Sequence, residues 1–171
     1  MLRRASVDDA ERIAQLHIAS WRRTYVREMP AAFLDSLDVV ARTARWQQQL
    51  KDGVKVVVAE DGAELTGYVA CGPARDTLSE SGAWEIYNLH VISSRQRQGI
   101  GNALFTAAVG LGREEGAGDL VLWVVDSNSN AHSFYEHKGM QVNGSRQERF
   151  VGGDFCLHEV LYRMGLSSDG R

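Results

Sequence analysis

The sequence predicts an α/β (α+β) domain with a central mixed, mostly antiparallel sheet flanked by helices, and three observations carry that expectation. Two β-branched runs are separated by Asp61-Gly62, the signature of a two-residue antiparallel hairpin. An apolar strand-like run, an amphipathic helical run and a continuous apolar run follow one another between residues 83 and 125, the order of two parallel strands joined by a helix. Two more extended runs close the chain, joined at Gly152-Gly153.

Taken in order, residues 2–6 read as a short first strand, and Ser6 with Asp9 three residues later resembles a capping box. The helix it opens carries Ala10, Ile13, Ala14, Leu16 and His17 on one face, prolonged by Trp21 and Tyr25. Met29-Pro30 breaks that face, because proline has no N–H to give and its ring clashes with the preceding turn. Phe33, Leu34 and Leu37 mark a second helical region, and residues 39–50 a third with Ala41, Arg45 and Trp46, ended by Lys51-Asp52-Gly53. Residues 54–60 and 65–72 are the hairpin strands, 73–82 a loop, and 83–92 the next strand. A helix over 99–115 places Ile100, Leu104, Ala107, Ala108 and Leu111 on one face, and the glycines at 116 and 118 end it. The run 120–125 suits a strand buried on both sides. Residues 126–130 form a turn, 131–138 a short helix closed by Gly139, and 140–163 the final strand pair.

A chain of 171 residues is long enough for one domain with a full core and too short for two ordinary ones, so residues 1–166 are taken as a single domain and 167–171 as a loose tail. The net charge is −3 with both signs interspersed, which argues against a nucleic-acid partner and for a small or neutral one. Cys71 and Cys156 are too few and too far apart for a disulfide framework or a zinc cluster, which fits a reducing compartment. No apolar run approaches ~18 residues, so the expectation is a cytoplasmic protein with no membrane partner. His17, His90, His132, His137 and His158 show no metal-ligand spacing, and no metal is expected. No Gly-x-Ser-x-Gly elbow supports a serine nucleophile.

The stretch Gln96, Arg97, Gln98, Gly99, Ile100, Gly101 joins an extended run to an opening helix. Two glycines let a backbone approach a ligand closely, and the first turn of a helix offers unpaired N–H groups at the positive end of its dipole. That is a cradle for phosphate, with Arg95 and Arg97 beside it. A Walker A loop would need Lys and Ser/Thr where Asn102 and Ala103 stand. A dinucleotide fingerprint would need glycine at Leu104 and a shorter gap after the strand, although Asp126 would suit its ribose contact.

The same stretch matches a third pattern, Gln/Arg-x-x-Gly-x-Gly/Ala, at Gln96, Gly99 and Gly101. With Ile86, Leu89 and Val91 before it and Asn128, Ala131, Phe134, Tyr135 and Gly139 after it, the chain resembles the GNAT superfamily of N-acetyltransferases from Leu2 to Met164. Only Met140 departs, standing where that family usually has phenylalanine. The resemblance implies a sheet splayed between its fourth and fifth strands, with acetyl-CoA as co-substrate. The pantetheine arm would lie against Leu89, His90 and Val91, the pyrophosphate on Gln96 to Gly101, and Asn128 would meet the pantetheine or the acyl end. It implies Tyr135 as the group that protonates the departing sulfur and Glu85 as a base for the amine. The residues alone leave alternatives: Tyr135 as packing beside Phe134, and Glu85 as a carboxylate paired with an arginine. The expected acceptor is a small-molecule or peptide amine, and the last hairpin is a homodimer surface by the same resemblance. A non-catalytic acyl-CoA sensor on the same fold is the rival reading, and an NAD- or ATP-dependent enzyme a more distant one.

Overall fold

The computed structural model describes residues 1–153 and 155–166 of the chain. The tail expected over 167–171 lies outside those residues. The helices are α1 (Ala10–Thr24), α2 (Ala31–Asp35), α3 (Val39–Lys51), α4 (Ile100–Glu114) and α5 (Ser129–His137). The strands are β1 (Leu2–Arg4), β2 (Lys55–Asp61), β3 (Glu64–Pro73), β4 (Trp84–Val91), β5 (Asp119–Val125), β6 (Gln141–Val151) and β7 (Phe155–Gly165). Their hydrogen-bonded order is β1-β2-β3-β4-β5-β7-β6, a mixed α/β architecture of the class the sequence predicts. No helix among the described residues is long and apolar enough to cross a membrane.

Contacts divide the chain into two compact units, the first made of Met1–Gly72 with Asn88–Ala108. In it β1 pairs antiparallel with β2, and β2 with β3 through the two-residue turn Gly62-Ala63, one residue later than the sequence suggests, because Asp61 still pairs with Glu64. The left-handed backbone of Gly62, φ 59°, is what that turn needs and what glycine adopts without a steric penalty. α1 buries Ile13, Ala14, Leu16, His17, Ile18 and Trp21, the face its sequence periodicity marks out. α3 begins at Asp38, whose carboxylate accepts the Val40 N–H at 2.7 Å, and buries Trp46.

The second unit joins Pro73–Tyr87 to the described residues from Val109 onward. Here β4 runs parallel to β5 with Trp84 opposite Leu120 and Glu85 opposite Val121. β7 then pairs antiparallel with both β5 and β6. Gly112 of α4 has no room for a side chain, since a Cβ there would stand 2.7 Å from Leu166 and 3.0 Å from Trp84. The loop expected over 73–82 contains a 3-10 turn, Asp76–Ser81, ended by Gly82 in the left-handed region.

The start of α1 is tied to the first strands by charge. Arg3 donates to both oxygens of Asp9 at 2.7 and 2.8 Å and to both of Glu60 at 2.7 and 2.9 Å, and Arg12 adds a bond to Glu60 at 2.9 Å. Asp9 also accepts the Ser6 N–H at 2.8 Å, the half of the capping box that the Ser6–Asp9 spacing anticipates. The Arg3 guanidinium, with help from Ser6, holds the buried Asp9 carboxyl at about 2. A depressed carboxyl stabilises the fold above its unfolded pKa of ~3.9, and the contribution is lost as pH falls through 2. We expect Asp9→Asn to cost about 2 kcal/mol at pH 7 in urea unfolding, with the difference from the parent chain shrinking between pH ~4 and ~2. A pH-independent difference would show that packing, and not the charge, is what the substitution removes.

Candidate active site

The glycine loop leaves β4 through a 3-10 turn, Ser93–Arg95, and enters α4 at Ile100. Its glutamine side chains fold back on the loop itself. Gln96 Nε2 donates to the Val91 carbonyl at 3.3 Å, and Gln98 Nε2 donates to the Ser94 carbonyl at 3.2 Å. Arg97 and Gly99 are both left-handed, with φ 60° and 83°. The second suits glycine, whereas at Arg97 the conformation costs roughly 1 kcal/mol and is held by the loop around it. Ala103 N–H donates to the Gly99 carbonyl at 3.0 Å, so the N–H groups just before it stand in the first turn, where no intrahelical carbonyl reaches them. Arg95 turns to Asp61 at 2.8 Å and Glu64 at 3.5 Å, while Arg97 is exposed.

Beside this loop in the first unit, the side chain of His90 enters a cluster of rings. Ser20 Oγ lies 2.7 Å from His90 Nδ1, and His17 Nδ1 lies 2.7 Å from the Tyr68 hydroxyl. The His90 ring centroid is 5.2 Å from that of His17 and 5.5 Å from that of Tyr68, and Trp46 packs edge-on against Tyr68 at 5.3 Å. Burial pushes the His90 imidazole down to about 4 and the Tyr68 phenol up, so both are neutral near pH 7. Gly67 is the reason β4 can come so close to β3: a Cβ there would sit 2.8 Å from the His90 carbonyl oxygen and 3.0 Å from Leu104. Arg42, half-buried on α3, is pushed below its ordinary range by burial.

In the second unit Glu85 is 4 % exposed and fully engaged. It accepts from the Arg75 N–H at 2.9 Å, Arg75 Nε at 3.3 Å and Arg75 Nη2 at 2.9 Å, and the Arg75 guanidinium also stacks 3.7 Å from the centre of the Tyr87 ring. The arginine pairing is thus the arrangement the structure contains. Tyr135 is buried on α5, edge-on to Phe134 at 5.1 Å and 6.4 Å from Tyr162. Asn128 caps α5, its side-chain oxygen accepting the Ala131 N–H at 3.1 Å. Asp126, the acid that a dinucleotide site would use, is paired with Arg146 at 3.0 Å.

The structure therefore gathers Leu89, His90, Val91 and the loop from Gln96 to Gly101 in the first unit, and Glu85, Asn128 and Tyr135 in the second. Sequence reading missed Ser20, Tyr68 and Gly67, and placed His17 only on the packed face of the first helix. Only Gly67 left a signal, being a glycine inside an otherwise apolar strand, where it marks close backbone approach.

Residues 11–140 match the family model for the acetyltransferase (GNAT) family. YuaI of Bacillus subtilis, described as an uncharacterized N-acetyltransferase, is 32% identical over 127 residues, covering 74% of this chain and 72% of its own. Rv2775 of Mycobacterium tuberculosis, a probable N-acetyltransferase, is 27% identical over 151 residues, or 84% of this chain and 80% of its own. The yncA protein of Salmonella typhimurium, solved with its cofactor acetyl-CoA, superposes with a TM-score of 0.74 at 19% identity, over 100% of this chain and 96% of that one.

Two outcomes follow from the ring cluster. The His90 imidazole should titrate near pH 4 by proton NMR, and because a His with a depressed pKa favours the fold only while neutral, that part of stability fades as pH falls from ~6.5 toward 4. A His90 midpoint near ~6.5 would mean the ring is solvated. Gly67→Ala should destabilise by about 1–3 kcal/mol in urea unfolding, because the contact it creates is with backbone.

Proposed function

We propose, for a chain that belongs to the acetyltransferase (GNAT) family, that it carries an acetyl group from acetyl-CoA to a primary amine of a small molecule or peptide by direct attack in a ternary complex. The observation that carries this reading is the loop conformation at Gln96 to Gly101, where left-handed Gly99 feeds a helix whose first N–H groups suit the pyrophosphate. Leu89, His90 and Val91 serve the pantetheine through their backbone, and Arg97 offers an exposed charge to the phosphates. The acetyl-CoA bound in yncA supports the choice of donor.

In this reading the lone pair of a neutral amine attacks the thioester carbonyl, the N–C bond forms, and the C–S bond breaks as the tetrahedral intermediate collapses. Tyr135 gives its proton to the departing sulfur and regains one from the ammonium of the intermediate through water. Glu85 remains the base that the family resemblance suggests. Both its oxygens are held by Arg75, so proton transfer there requires that pair to open, whereas an amine that arrives neutral needs no base. The same reading takes residues 1–166 as one catalytic domain, cytoplasmic, pairing with a second copy through the last hairpin.

Calorimetric titration with acetyl-CoA, with NADH and ATP as controls, tests the donor. Gly99→Val should weaken acetyl-CoA binding at least ~10-fold with an unchanged circular-dichroism spectrum, since a β-branched residue is strained at that φ. Unchanged affinity would remove the pyrophosphate assignment. Tyr135→Phe, which keeps the ring packing, should lower kcat about 10-fold at unchanged acetyl-CoA affinity. That is below the usual ~10²–10⁴ for general acids because a thiol of pKa ~8.5 is already a fair leaving group. An unaltered kcat would leave Tyr135 as packing, and acetyl-CoA binding without turnover on any amine would favour the sensor.

A further inference from the structure

We propose that the outer face of the β6–β7 hairpin is a surface site for a late first-row divalent metal, zinc foremost, held by Glu148, Cys156 and His158. The three ligand atoms lie within 4.8 Å of one another, and among the described residues no other set of three such groups comes this close. The ladder explains why: Glu148 stands directly opposite His158, and Phe150 directly opposite Cys156. Directly paired residues share a sheet face, and residues two apart on a strand share it too, so carboxylate, thiol and imidazole all point the same way. Arg149 and Glu159, on the alternate face, are paired with each other at 2.7 Å and leave the outer set to itself.

The chemistry of the three donors is that of zinc, which takes thiolate sulfur at ~2.3 Å and imidazole nitrogen or carboxylate oxygen at ~2.0–2.2 Å. Tetrahedral ligands at such bond lengths stand roughly 3.3–3.8 Å apart. His158 Nδ1 and Glu148 Oε1 are already 3.7 Å apart, and their side chains, 66% and 61% exposed, have room to close around an ion. Three protein donors leave the fourth position to water. On binding, the ion replaces the Cys156 thiol proton, which passes to solvent. Burial and the Glu148 carboxylate push that thiol up in the metal-free protein, and a dication reverses the second effect. Spacing along the chain hides the set, because its members meet across a register and not along one strand. The site is independent of acyl transfer.

The test uses tag-free, chelator-treated full-length protein titrated with Co²⁺ as a spectroscopic stand-in for zinc. One equivalent should produce thiolate-to-cobalt charge-transfer absorption together with tetrahedral d–d bands, and Zn²⁺ should displace both. Cys156→Ser should abolish the charge-transfer band, and Glu148→Gln and His158→Gln should each weaken Co²⁺ binding at least ~10-fold. Cys71→Ser, at a buried position outside the cluster, should change nothing. No charge-transfer band at stoichiometric Co²⁺ would overturn the site. So would a band that survives Glu148→Gln and His158→Gln unchanged, since that is a lone thiol binding metal by itself.

Discussion

A buried hydroxyl must find a partner or forfeit the hydrogen bonds it had in water, and in the first unit Tyr68 finds one in His17. That bond joins the middle of β3 to α1, and the Ser20–His90 contact joins α1 to β4 in the same way. Hydrophobic burial alone would let α1 slide or rotate over the strands, whereas two directional contacts from one helix face fix both its height and its rotation. Trp21 and Trp46 close the cluster with ring contacts, and Gly67 lets the His90 carbonyl approach β3 closely. The position of His90 is therefore determined from three sides. Its neutrality belongs to the same arrangement, because an imidazolium among these rings would lose its hydration.

The second unit solves the buried-polar problem with ions. Glu85 and Glu159 are each buried with an arginine on their carboxylates, Arg75 and Arg149. Such pairs add little net stability over apolar packing, but removing one member leaves a buried charge and costs several kcal/mol. This matters for how Glu85 is to be understood. Replacing it would unpair Arg75 and disturb the Tyr87 contact as well as deleting a carboxylate, so loss of activity by itself does not identify a base. A base reveals itself in the pH dependence of turnover, and a structural acid in stability.

Much of the fold was legible because its signals are local. Asp61-Gly62 announces a hairpin, Met29-Pro30 lies between the first two helices, and Gly99 sits between a strand and the helix that Ile100 opens, so these elements follow from backbone conformation and periodicity. Boundaries shifted by a residue or two where caps decide them: β1 stops at Arg4, and α5 begins at Ser129 because Asn128 supplies the capping oxygen. What stayed hidden was tertiary pairing. Nothing in the spacing of Ser20 and His90, seventy residues apart, announces their contact, and neither the Arg3 network nor the face shared by Glu148, Cys156 and His158 follows from any one segment. Asn128 shows a further limit, since one residue type serves both a helix cap and a ligand contact, and its presence in a motif does not separate the two.

The contrast between the two kinds of site explains why the donor is easier to identify than the acceptor. The proposed pyrophosphate cradle is made of backbone N–H groups. Its main sequence requirement is a conformation, supplied by Gly99 at φ 83° and by side chains such as Gln96 and Gln98 that fold away onto the carbonyls of Val91 and Ser94. Conformational requirements leave a short, contiguous imprint in a sequence. Recognition of an amine has no such imprint, because it is done by side chains that several elements bring together, as His17, Ser20, Tyr68 and His90 are brought together here. A chain can therefore carry the mark of a proposed donor in six residues, while side chains that meet only through the fold leave no contiguous mark at all.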